Sequence, residues 1–168
     1  MISQFRCRLA DPAATRALGA GLATGLTGGM IVTLSGDLGS GKTTLVRGLL
    51  RALGWTGSVK SPTYTLVEHY PFSSLYLYHF DFYRFADPEE WETAGFAECF
   101  RDDAVCVIEW PERVGALLPP PDLAITLTHP QPPCRSDGRD AALEARTPRG
   151  ERCLRAMTGG AVASVGNA

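Results

Sequence analysis

Apolar residues fall into short blocks along the chain, and glycine, proline and polar clusters separate them. Phe5–Leu9 has strand character. Asp11-Pro12 then signals a helix start, with Asp11 as N-cap and Pro12 in the first turn, and the helix is expected to run from Ala13 to about Leu26. Met30–Leu34 reads as a short buried strand, and Lys42 to Leu53 as a helix that Gly54 stops. Tyr64–His69 and Leu75–Phe80 carry β-branched and aromatic residues and predict two further strands. Asp87-Pro88-Glu89-Glu90 starts a helix running to about Ala94, where Gly95 interrupts it. Ala104–Ile108 is a buried strand, Pro119-Pro120-Pro121 a hinge or rigid turn, and Leu123–Thr128 alternates as an edge strand would. Ala141–Ala145 and Arg152–Met157 are expected to form a final hairpin. The reading is one domain over residues 1–158 with a flexible tail over 159–168. Strand and helix alternate over the first half, which predicts an α/β fold of three layers. Its central mixed sheet would carry helices on both faces and extra antiparallel strands.

The uncharged stretch Ala17–Gly36 is as long as a membrane helix, but its six glycines divide it into a helix and a strand. No membrane span is expected, and the N-terminus has no secretory pattern. The chain has 168 residues, 45% apolar and 20% charged, enough to bury a core without a metal or disulfide staple. Sixteen Lys+Arg against 18 Asp+Glu give a net charge of −2, which argues against a domain that holds nucleic acid by its own field. Five cysteines without a CxxC pair make a poor disulfide framework and a poor zinc site, so a reduced, cytoplasmic setting is expected.

The strongest chemical signal is Gly36-Asp37-Leu38-Gly39-Ser40-Gly41-Lys42-Thr43, which fits G-x-x-x-x-G-K-[ST] between a strand and a helix. Its glycines let successive N–H groups turn inward onto a phosphate, Lys42 adds a positive charge, and Thr43 presents a hydroxyl to Mg²⁺. Such a site needs an acid at the carboxyl end of an apolar strand. Asp81 and Glu109 both qualify, so one could anchor the metal while the other orients water. Ser61-Pro62-Thr63-Tyr64-Thr65 is rich in hydroxyls and sits where a switch segment would sense the terminal phosphate. His69, His79 and His129 show no metal spacing and read as structural, and Tyr78, Phe80, Phe82 and Tyr83 read mostly as core. Trp110 is equally a lid or a packing residue. The only asparagine is Asn167, and neither lysine is followed two residues later by an acid. The guanine-reading signature is therefore missing and ATP is preferred.

With these residues assembled, the chain resembles the bacterial TsaE (YjeE) ATPases, which take part in forming N6-threonylcarbamoyladenosine in tRNA. Four blocks carry the resemblance: the P-loop continued through Thr44-Leu45, Val59–Glu68, Tyr78-His79-Phe80-Asp81-Phe82-Tyr83-Arg84 and Ile108-Glu109-Trp110-Pro111. The resemblance implies a P-loop NTPase fold and slow, Mg²⁺-dependent hydrolysis of ATP. It implies that Asp37, Leu38, Gly39, Ser40, Gly41, Lys42, Thr43 and Thr44 cradle the phosphates. Thr43 and Glu109 would hold the metal, and Lys42, Asp81 and Glu109 would be catalytic. Asp11 to Thr15 matches a stretch that contacts the base. Partners would be TsaB and TsaD, with tRNA reached indirectly through the complex. Trp91-Glu92-Thr93-Ala94 departs from the family's more aliphatic helix, and the chain after Pro130 matches nothing specific. Two other readings fit a P-loop chain, a small-molecule kinase and an ATP-gated binding module with incidental hydrolysis.

Overall fold

In the computed structural model, residues 2–133, 137–159 and 163–165 are described. The chain order is β1 (Ile2–Leu9), α1 (Pro12–Ala23), β2 (Ile31–Ser35), α2 (Lys42–Ala52), β3 (Val67–Pro71) and β4 (Tyr76–Asp81). Then come α3 (Pro88–Thr93), β5 (Ala104–Glu109), β6 (Leu123–Thr128), β7 (Arg139–Ala145), α4 (Pro148–Thr158) and β8 (Ala163–Val165). All eight strands form one mixed sheet in the order β3-β4-β5-β2-β6-β7-β1-β8. The central strands β4, β5, β2 and β6 run parallel. Antiparallel β3 extends one side, and β7, antiparallel to both β6 and β1, extends the other. The α/β class with added antiparallel strands is therefore as expected.

Strand alternation divides the core. Val105 and Val107 of β5 point to one face, where they pack with Val32, Leu34, Leu77 and the inward sides of α1, α2 and α4. Cys106 and Ile108 point to the other, where Phe80, Phe82, Phe85, Trp91 and Phe96 make an aromatic layer under α3. β5 is buried on both sides along its whole length, which is why Ala104–Glu109 reads as a continuous apolar run. By the same alternation His79, Asp81 and Glu109 lie on the α2 face.

α1 and α2 touch backbone to backbone. A Cβ on Gly19 would lie 2.0 Å from the Leu45 carbonyl oxygen, and one on Gly48 would lie 2.0 Å from that of Arg16. The helical glycines of the uncharged stretch thus include one that lets α1 approach the P-loop helix. Among the described residues, no helix is long and apolar enough to cross a membrane.

Four expectations need correction. β6 is not an edge strand, since it lies between β2 and β7. Its alternation arises because Leu123, Ile125 and Leu127 enter the core while the opposite face is partly open. Arg152–Met157 belongs to α4, not to a hairpin. Thr147 caps that helix through the Gly150 N–H, Pro148 fills its first position, and Gly150, Cys153 and Leu154 form its buried side. β3 begins at Val67 and not at Tyr64, because Leu66 takes a left-handed φ of 66° and its N–H closes a turn on the Pro62 carbonyl. α1 ends at Ala23, with Thr24 donating to its last turn. Most of the tail expected over 159–168 lies outside the described residues, but Ala163–Val165 pair with β1 as β8.

Candidate functional site

The loop after β2 wraps the N-terminus of α2. Gly36 has φ 149° and packs so closely on the Leu127 carbonyl that a Cβ would meet it at 2.4 Å. Gly41 caps α2 at φ 102°, a left-handed conformation that favours glycine, and contributes no side chain to the cap. The first N–H groups of α2 therefore face outward without a side-chain partner, together with the positive end of the helix dipole. They open onto a cavity of about 420 Å³. Its floor is Gly39 to Thr44, and its far wall is built from Ser61, Thr63, Asp81, Tyr83, Arg84, Glu109 and Trp110.

Parallel pairing of β4 with β5 places Asp81 directly opposite Glu109. Both carboxylates are almost wholly buried. Glu109 Oε1 accepts the Thr43 hydroxyl at 2.9 Å and lies 2.8 Å from His79 Nε2. Asp81 has a different set of partners. Its Oδ2 accepts Thr63 Oγ1 at 3.1 Å and Ser61 Oγ at 3.4 Å, and its Oδ1 accepts the Tyr83 N–H at 3.0 Å. The hydroxyl-rich segment is thus tied to the end of β4 by this one acid.

Lys42 is 5% exposed, and its ammonium donates to the carbonyls of Gly36 at 2.6 Å and Asp37 at 3.0 Å. It also sits 4.3 Å from the centre of the Trp110 ring. Burial lowers its pKa below the usual lysine range, and the negative charge of Glu109, then of Asp81, opposes that shift. Trp110 follows Glu109 in a left-handed conformation, φ 57°, which costs a side chain about 1–3 kcal/mol. That conformation turns the indole back over Lys42 and against Tyr83, at 5.0 Å between rings.

A second, smaller cavity of about 190 Å³ lies on the other side of the loop. Pro12, Thr15, Gly39 to Gly41, Thr44, Asp137 and Arg139 line it. Arg139 bridges from β7 to the loop, where its guanidinium donates to the Gly39 carbonyl at 3.1 Å. Its Nε is buried and has no hydrogen-bond partner among the described residues.

The structure therefore brings Leu38 to Thr44, Ser61, Thr63, Asp81 and Glu109 around one cavity, with Thr15 at its neighbour. Asp37 contributes a backbone carbonyl to Lys42. Asp11 spends its carboxylate on capping α1, through the Ala14 N–H at 2.8 Å, and lines neither cavity. Pro62 is buried in the turn, Thr65 is exposed, and Tyr64 is 81% exposed under the Arg84 guanidinium. Tyr83, expected mostly as core, is a wall of the cavity. Sequence reasoning missed Arg139 and passed over His79 as structural. A basic residue among strand positions of β7 carries no local signal, and the link from Arg139 to Gly39 spans 100 residues of chain.

The fold and this loop define a P-loop nucleotide-binding protein. Comparison with known proteins specifies the class further. Residues 9–136 match the family model for TsaE, threonylcarbamoyl adenosine biosynthesis protein. A tRNA threonylcarbamoyladenosine biosynthesis protein TsaE of Haemophilus influenzae is 44% identical over 129 residues, 77% of this chain and 78% of that one. The TsaE of Bacillus subtilis is 38% identical over 126 residues, 75% of this chain and 78% of its own. A crystal structure of Bacillus subtilis YdiB superposes with a TM-score of 0.76 at 30% identity, covering 95% of this chain and 97% of that one. The chain belongs to the TsaE family.

Proposed function

We propose that this chain binds ATP with Mg²⁺ and hydrolyses it slowly, as the ATPase component of the machinery that adds a threonylcarbamoyl group to adenosine in tRNA. One observation carries the reading. The open N-terminus of α2, the Lys42 ammonium and the Thr43–Glu109 pair all face a single cavity.

Hard oxygen donors suit Mg²⁺, which takes few protein ligands and completes its shell with water and phosphate oxygens. Thr43 and Glu109 would hold the ion, and when bound it neutralises phosphate charge and polarises the terminal phosphoryl group. The loop amides orient the phosphates. Lys42 exchanges its bonds to the Gly36 and Asp37 carbonyls for phosphate oxygens. Asp81 accepts a hydrogen bond from the attacking water and holds it in line with the leaving oxygen. Because Ser61 and Thr63 share that carboxylate, a change at the terminal phosphate is transmitted to the exposed Ser61–Thr65 segment. Pro12, Thr15, Thr44 and Arg139 form the base-side pocket.

TsaB and TsaD are the proposed protein partners, the reaction is placed in the cytoplasm, and contact with tRNA is indirect, as the net charge of −2 favours. Calorimetric titration with ATP, with and without Mg²⁺, tests the reading together with phosphate release. Saturable binding strengthened by Mg²⁺ and abolished in Lys42→Ala supports it. ATP consumption that requires an added small metabolite would instead identify a kinase.

A further inference from the structure

We propose that His79 is a positioning residue for hydrolysis: it holds Glu109 in the rotamer that serves the metal and keeps that carboxylate from collapsing onto Lys42. The proposal rests on the Mg²⁺-ATP reading above. His79 is fully buried on the α2 face of β4. Its Nε2 lies 2.8 Å from Glu109 Oε1. An ionised carboxylate only accepts, so Nε2 carries the proton and donates. Nδ1 has no partner among the described residues, so the ring has one directed bond, and that bond ends on Glu109.

The same oxygen, Oε1, also accepts the Thr43 hydroxyl at 2.9 Å. Two donors therefore converge on Oε1 and leave Oε2 for the cavity. The competing arrangement is close at hand, because Glu109 is the strongest attractive charge felt by the Lys42 ammonium. An acid free to rotate would turn toward that lysine and away from the metal position. Hydrogen bonds of this kind behind a metal-binding carboxylate are worth about 10–100-fold in metal affinity or activity.

Three variants of the full-length chain separate this role from packing. His79→Phe keeps the volume without a donor. His79→Gln puts an amide N–H near the Nε2 position, and His79→Asn puts one too far back to reach Glu109. Affinity for ADP is measured in EDTA and across a Mg²⁺ titration, Mn²⁺ binding to the ADP complex is followed by electron paramagnetic resonance, and kcat and KM for ATP are determined.

The expected result is ADP affinity in EDTA within about twofold of wild type for every variant. Metal affinity and kcat should fall about 10–100-fold in His79→Phe and His79→Asn, with most of the loss restored in His79→Gln. Metal dependence equal to wild type in His79→Phe overturns the proposal, as does a Gln variant no better than the Asn variant. Should His79→Phe fail to fold, the Gln–Asn comparison decides. A wild-type chain that binds no nucleotide overturns the ATP reading itself, and this inference with it.

Discussion

Gly48→Ala tests how the packing of α1 on α2 supports the site. Alanine is the better helix former by about 1 kcal/mol, so propensity alone predicts stabilisation. The structure predicts the opposite. The new Cβ would lie 2.0 Å from the Arg16 carbonyl oxygen and 2.7 Å from its carbonyl carbon and Cα. All three are backbone atoms, so no side chain can swing aside. Restoring an ordinary contact of roughly 3.4 Å requires the helices to part by about 1.4 Å, which loosens Leu22, Leu45 and Leu49 at their interface. Overpacking costs about 1–3 kcal/mol, and a backbone obstruction belongs at the upper end. Less the propensity gain, the net loss is about 1–2 kcal/mol, or a melting temperature lower by about 2–8 °C for a domain of this size. Gly21→Ala is the control, because it lies in α1 with nothing within 4 Å of its Cβ. It should raise the melting temperature by a few degrees. Since α1 also carries Thr15 against Gly41, Gly48→Ala should weaken ATP binding as well. A Gly48→Ala variant that melts at or above wild type and tracks Gly21→Ala would refute the close-packing argument.

Other outcomes follow from single contacts. Asp81→Asn keeps the shape but weakens the acceptor for water, so phosphate release should fall about 100-fold, with ATP affinity within threefold in calorimetry. Arg139→Ala should weaken ATP and ADP alike by about tenfold in direct binding, and leave the rate at saturation nearly unchanged. Burial raises the thiol pKa of Cys106 to about 12 and that of Cys153 to about 11. Both should resist alkylation at pH 8 in the folded chain and react once it is unfolded, as peptide mapping can show. The folded state keeps these protons longer than the unfolded one, so their contribution is full below about pH 9. It should be lost as pH rises through about 11–12, seen as falling stability in alkaline denaturant titrations.

The parts of the molecule that were legible in the sequence are those written locally. The P-loop is contiguous, and its glycines, lysine and threonine each have one evident use. Asp81 and Glu109 end apolar runs, so their place at the carboxyl edge of the sheet follows from strand polarity. Distant parts of the chain were harder to read. The bond of His79 to Glu109 depends on the register of β4 against β5, which no local pattern reveals. Arg139 reaches the loop only because β6 and β7 pair antiparallel beside β2. α4 was hidden by its arginines, although Thr147-Pro148 is a recognisable helix start.

The central claim is that this cavity hydrolyses ATP in the service of tRNA modification. Its most direct test is phosphate release by the purified chain, alone and with TsaB and TsaD, alongside multiple-turnover formation of threonylcarbamoyladenosine in tRNA. The account predicts slow release alone, a rate altered by the partners, and loss of repeated modification in Asp81→Asn. Repeated modification sustained by a variant that binds ATP without hydrolysing it would contradict the claim and leave the site as a nucleotide-gated docking switch.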